Sequence, residues 1–187
     1  MSQVISIALK QWAIAVEAIL EGRHCLLLQK GGAQEVHREF RAEHPEFLLY
    51  PTYEEQRPEH LLPAWRERLQ RIQTFRPDGS HVILKGYCTV EAVWEVREVG
   101  RILESPGGTL WSPEYLRREY PAGSGFCALL ARAYRLSQAR EIAELVKYAA
   151  SRTWVDLLDE ISIEGARPVM TDEAFRRQAG ELHRLLG

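Results

Sequence analysis

The stretch Gly22–Gln56, GRHCLLLQKGGAQEVHREFRAEHPEFLLYPTYEEQ, decides how this chain is read. It carries two apolar cores of strand length, Cys25–Leu28 and Phe47–Tyr50. The first runs out into Lys30-Gly31-Gly32 and the second into Pro51-Thr52-Tyr53, with Gln56 just beyond. Buried strands that end in polar groups are a common way to hold a binding site on a rigid frame. Phe40 and Ala42 alternate within His37–Glu43 and predict a short strand between the two cores. The block from Gly22 to Thr52 therefore reads as a small antiparallel meander.

Working outward, Leu9, Trp12, Ala13, Val16 and Leu20 step by three and four and predict a helix over Ala8–Glu21, closed by Gly22. Leu61, Leu62, Trp65, Leu69 and Ile72 give a second helical face between Pro58 and Phe75, with Pro63 in its first turn. His81–Glu98 is rich in β-branched and aromatic residues and predicts two strands or one bent strand, with Gly86 at a bulge. Ser112 and Pro113 form the cap and first position of a short helix reaching about Tyr120. Phe126–Leu136 reads as strand and Ala139–Ala150 has helical propensity; Thr153–Leu158 fits either. Thr171 opens a last helix whose Phe175, Leu182, Leu185 and Leu186 need a surface to bury against, either the same chain or a second copy in a homodimer. The expected fold is α+β. A mostly antiparallel, barrel-like sheet with flanking helices occupies residues 1–157, and 158–187 form an extension whose helix packs on it.

Composition narrows the function. A length of 187 residues suits one domain, and 45% hydrophobic content supports a sizeable core. With a net charge of −2 there is no global positive field, so any nucleic-acid contact must rest on a local patch. Cys25, Cys88 and Cys127 are far apart in apolar surroundings, which predicts reduced, buried thiols and a cytoplasmic protein. The N-terminus lacks the order of a signal peptide, and no apolar run approaches the ~20 residues of a membrane span.

Lys30-Gly31-Gly32 offers backbone N–H groups and a movable positive charge to an anion, although the GxxxxGK[ST] spacing of a P-loop is missing. Thr52, Tyr53 and Gln56 offer hydroxyl, phenol and amide groups to a planar polar ligand, and Tyr50 or Tyr53 can stack on it. His44 adds a titratable group. Arg132 adds positive charge on the Phe126–Leu136 strand, while Arg66, Arg68 and Arg71 read as surface ion-pairing residues. Trp111 and Trp154 read as core anchors. The histidines and carboxylates lack metal-ligand spacing, and no nucleophile elbow surrounds Ser124, so neither a metal nor a cofactor is expected.

The segments ALKQWAIAVEAILEGR, LLLQKGG, EFLLYPTYEEQ and LLARAYRL, with the late Tyr148 and Trp154-Val155, resemble a bacterial family known as domain of unknown function 1802. The resemblance runs from about Ala8 to Leu157. This chain departs from the family pattern at Gln29, Ala33, Glu55 and Ala149-Ala150, where the family has Arg, Ile, His and Gly-Cys. The family brings kinship without an activity. A second, architectural resemblance is to the PUA-like pseudobarrel modules of the ASCH and EVE groups, in which a glycine-closed helix leads into a strand ending in polar side chains. The ASCH series Lys, Glu, Arg is replaced here by His24, Leu27 and Gln29. Such modules mostly bind RNA or modified bases, so that resemblance implies an RNA, DNA or nucleotide ligand.

The leading expectation is thus non-catalytic recognition of a nucleic acid or nucleotide-like ligand by Lys30, Gly31, Gly32, His44, Tyr50, Thr52, Tyr53, Gln56 and Arg132. The alternative is an enzyme on a small phosphorylated or nucleotide substrate, with Lys30 and His44 as electrostatic and proton-transfer groups. A third reading is a protein-interaction module using the apolar face of the last helix.

Overall fold

A computed structural model of the chain describes residues 4–30, 44–105 and 109–187. Its sheet is built from β1 (Val4–Trp12), β2 (Leu26–Lys30), β3 (Glu46–Thr52), β4 (His81–Val96), β5 (Phe126–Ala143), β6 (Trp154–Ser162) and β7 (Arg167–Pro168). The strands follow the order β2-β5-β4-β3-β1-β6, with β7 added to β5. Every pairing is antiparallel except β1 with β3. The sheet is mostly antiparallel, as expected, and among the described residues it stays open, with β2 and β6 at its ends. Around it lie α1 (Ala13–Leu20), α2 (Pro63–Thr74), α3 (Gly100–Leu103), α4 (Pro113–Glu119), α5 (Val146–Ala150) and α6 (Asp172–Leu186).

The expected helix over Ala8–Glu21 is half strand. β1 lies between β3 and β6, and Ala8 and Leu9 are both fully buried. A strand buried on both faces shows no period of two, so its apolar residues merge in sequence with the helical stripe that α1 continues. The meander is also corrected. β2 pairs with β5, whereas β3 is flanked in the sheet by β4 and β1, so the strands beside β3 come from outside the Gly22–Gln56 stretch. The expected strand His37–Glu43 lies outside the described residues.

β4 and β5 form the longest pairing, with register shifts between Leu84 and Gly86 and between Val90 and Ala92. Such irregularities bend a sheet, and Gly86 sits at one of them as expected. A Cβ there would lie 2.4 Å from Leu20 Cδ2 and 2.5 Å from the Tyr134 carbonyl oxygen, so α1 packs directly on that backbone. The helical propensity of Ala139–Ala143 loses to pairing: His81 to Leu84 are matched by Ala143 to Arg140. Helix returns only in α5. The expected boundary at residue 157 falls inside β6.

Local caps act as the residue types dictate. Ser112 Oγ accepts from the Tyr115 N–H at 3.3 Å, and Thr171 Oγ1 accepts from the Ala174 N–H at 3.2 Å. α6 then buries Phe175, Leu182 and Leu186 among Leu26, Val96, Phe126 and Leu130 of its own chain. Each such side chain contributes roughly 1.5–3 kcal/mol of apolar burial. Gln178, the polar break in that stripe, accepts a hydrogen bond from the Cys25 thiol at 3.2 Å. All three cysteines are buried thiols, and burial pushes Cys25 up to about 12 and Cys127 to about 11. No helix among the described residues is long and apolar enough to cross a membrane.

Candidate nucleotide-binding cleft

A cleft of about 400 Å³ opens where the end of β1, the length of β2 and α4 face one another. β2 is one end of the sheet path and β1 lies next to the other end, so a shared cleft requires the sheet to curl. Lys10, Gln11 and Trp12 contribute from β1, Leu26 to Lys30 from β2, and Thr52 and Glu55 from β3 and the turn after it. Trp111, Tyr115, Glu119 and Tyr120 contribute from α4 and its flanks, and Arg152 and Thr153 from the segment before β6.

The aromatic side of the cleft is a packed cluster. Trp12 meets Trp111 edge-on with centroids 5.0 Å apart, and Tyr115 lies 5.5 Å from Trp12 and 5.2 Å from Trp111. His60 supports the cluster from outside the cleft lining, 4.7 Å from Tyr115. Its imidazole pKa is lowered, first by burial and then by Arg118, which approaches His60 Nε2 at 3.1 Å. The rings of Trp12, Trp111 and Tyr115 line the cleft, and an aromatic lining suits a planar ligand.

The charged groups differ in how far they are already engaged. Lys30 Nζ donates to Glu119 Oε2 at 2.6 Å, and Arg118 Nε lies 3.3 Å from the other oxygen of Glu119. Glu119 is held below the usual carboxylate range, chiefly by the Lys30 hydrogen bond. Lys10 Nζ donates to the carbonyls of Tyr148 at 2.5 Å and Ala149 at 3.3 Å, and burial lowers its pKa. Arg152 is exposed and has no ion pair among the described residues. On the floor, His24 is 5% exposed, and desolvation pushes its imidazole down to about 4, so it is neutral at pH 7.

The residues expected to form the site are distributed unevenly. Lys30 and Thr52 line the cleft. Gln56 is buried and structural: its Oε1 accepts from the Ile14 N–H at 3.2 Å, and its Nε2 donates to the Thr52 carbonyl at 2.6 Å. α1 has no side-chain cap of its own, so Gln56 supplies the acceptor that its first turn needs. Tyr53 is outside the lining; its phenol is raised by burial, with Glu17 nearby. Tyr50 is 1% exposed, donates to Glu144 and carries Lys10 over its ring at 5.5 Å, so it has no free face for stacking. His44 lies against Trp154, 5.2 Å between centroids, and is not among the lining residues. Arg132 is held under α6, bonded to Asp172 and 5.3 Å from the Phe175 ring. Gly31 and Gly32 lie outside the described residues.

Reading the sequence missed Trp12, Tyr115, Glu119 and Arg152 as cleft residues, and it assigned Trp111 to the core. No local pattern marks them, because they come from elements far apart in the chain. Among the described residues, no group of three His, Cys, Asp or Glu side chains converges in a way that would hold a metal ion.

No curated protein matches the chain in sequence. Two solved structures are similar. One is the ASCH protein of Zymomonas mobilis, at 13% identity and a TM-score of 0.46, covering 97% of this chain and 95% of that one. The other is a point mutant of it, at 12% identity and a TM-score of 0.45, covering 93% and 96%. Residues 8–181 match the family described as "Domain of unknown function (DUF1802)", and the chain belongs to that family.

Proposed function

We propose that this protein binds a nucleic acid or nucleotide-like ligand, without turning it over, in the cleft between β1, β2 and α4. The observation that carries this reading is the meeting of Trp12, Trp111 and Tyr115 with Lys10, Lys30 and Arg152 around one cavity of about 400 Å³. That volume falls within the roughly 300–1,000 Å³ of small-molecule sites. Aromatic faces stack on bases of any sequence, and cations beside them hold phosphates. Arg152 is already available, whereas Lys30 is shared with Glu119. The rival pairing of Lys30 with His44 for proton transfer has no support from the lining, which leaves His44 out.

The test is a fluorescence-anisotropy titration of the full chain with short single-stranded RNA. Arg152→Ala is expected to weaken binding by about 1.5–3 kcal/mol, as loss of a charged hydrogen bond does, and to flatten the salt dependence. Trp111→Ala is expected to cost about 1–3 kcal/mol through lost stacking. Binding that survives both substitutions unchanged would rule out this cleft.

A further inference from the structure

Glu55 lines the cleft and is the one non-glycine residue with positive φ, 58°, among the described residues. That region of backbone space favours glycine, and glutamate has no short side chain to bond its own backbone in compensation. Such a conformation persists only where the surroundings impose it, and it concentrates at ligand sites. Here the imposing residue is its neighbour. Gln56 is pinned by the Ile14 N–H and the Thr52 carbonyl, and its own carbonyl accepts from Gln73 Nε2 at 2.8 Å. The turn is clamped through Gln56, while Glu55 is left exposed and lines the same cleft as Tyr115, whose phenol is raised first by burial, then by Glu119, and least by Glu55. Unlike Glu119, Glu55 has no ion pair among the described residues.

A carboxylate is a poor neighbour for phosphate and a good acceptor for N–H donors. We infer that Glu55 reads the base of the ligand, accepting two hydrogen bonds from a guanine-type donor edge while the base stacks on the aromatic cluster. Guanine presents N1–H and the N2 amino group side by side, matching the two oxygens of a carboxylate. Adenine and cytosine place a ring-nitrogen acceptor beside their single amino group, so one carboxylate oxygen would face a lone pair. Uracil flanks its one N–H with two carbonyls. The edge is reachable only in an unpaired base. This inference rests on the nucleotide reading of the cleft, and it adds a base preference to it.

The experiment uses the full chain and pentauridylate RNAs in which only the central base is varied among G, A, C and U. The G-containing RNA is expected to bind about tenfold tighter or more, the discrimination that one good bidentate pair provides. Glu55→Gln should lower G affinity to the level of A and leave the others unchanged or slightly tighter. Glu55→Gly should lose the same preference while raising the melting temperature, because the strained position then holds the residue that suits it. Equal binding of all four RNAs, or a G preference that survives Glu55→Gln, overturns the role of Glu55 while leaving the cleft as the binding site. Absence of binding to any of them overturns both readings.

Discussion

Arg132 and Lys30 are both basic residues on neighbouring strands, and their surroundings have opposite character. Arg132 is covered: α6 lies over it, Asp172 bonds it, and the rings of Phe175 and Tyr134 flank it at 5.3 and 5.8 Å. Lys30 has 63% of its side chain exposed, and its one acidic partner stands on the wall of an open cleft. The difference comes from what faces each strand. A helix with an apolar stripe closes one face and uses up its charges, whereas the cleft is walled by rings and turns that leave polar groups in solvent. A basic residue on a strand thus says little about function until its cover is known.

That contrast fails most visibly if the covered face is not structural. Phe175→Ala is expected to cost about 3–5 kcal/mol in a urea denaturation experiment, the usual cost of deleting a buried phenyl ring. It should leave RNA affinity of the folded protein unchanged. A loss below 1 kcal/mol would mean that α6 is not an integral part of the core.

Acid provides the next largest effect and probes the cleft floor. The folded-state pKa of His24 is depressed to about 4 from an ordinary 6.5, so the unfolded chain binds the extra proton first. Its contribution is fully present above pH 6.5 and is lost as pH falls towards 4, amounting to an order of 2–3 kcal/mol. Unfolding free energies measured at pH 7 and pH 4.5 should therefore differ more in the native chain than in His24→Asn. Equal pH slopes would show that His24 is not buried neutral.

The smallest effect on stability lies at the rim. Glu119→Gln should change stability by less than about 1 kcal/mol, as is usual for a partly exposed ion pair. The same change should tighten RNA binding, since Lys30 and Arg118 lose their internal carboxylate. Weaker RNA binding in this variant would assign Glu119 to the ligand instead of to competition with it.

Where structure depends on neighbours in sequence, it was legible. Ser112 and Thr171 cap their helices because a hydroxyl three residues before an N–H is a local arrangement. Gly86 was legible as a glycine inside a β-rich run, and a register shift does fall beside it. The strand nature of Ala8–Trp12 was hidden because burial on both sides erases alternation. The strand at Ala139–Ala143 was not legible because pairing with β4 outweighs helical propensity. Lys30 and Thr52, singled out by their place at strand ends, do line the cleft. Trp12, Trp111 and Arg152 were not, because only the curl of the sheet brings them together.

The acceptor that Gln56 lends to α1 has a consequence for biosynthesis. As the chain leaves the ribosome, α1 emerges early but its first turn has no acceptor until residue 56 follows. β1 waits longer, since one of its two partners, β6, ends at Ser162. Contacts of such long sequence separation slow folding. β1 therefore keeps one edge unpaired until β6 follows it from the ribosome, and only then lies between two strands.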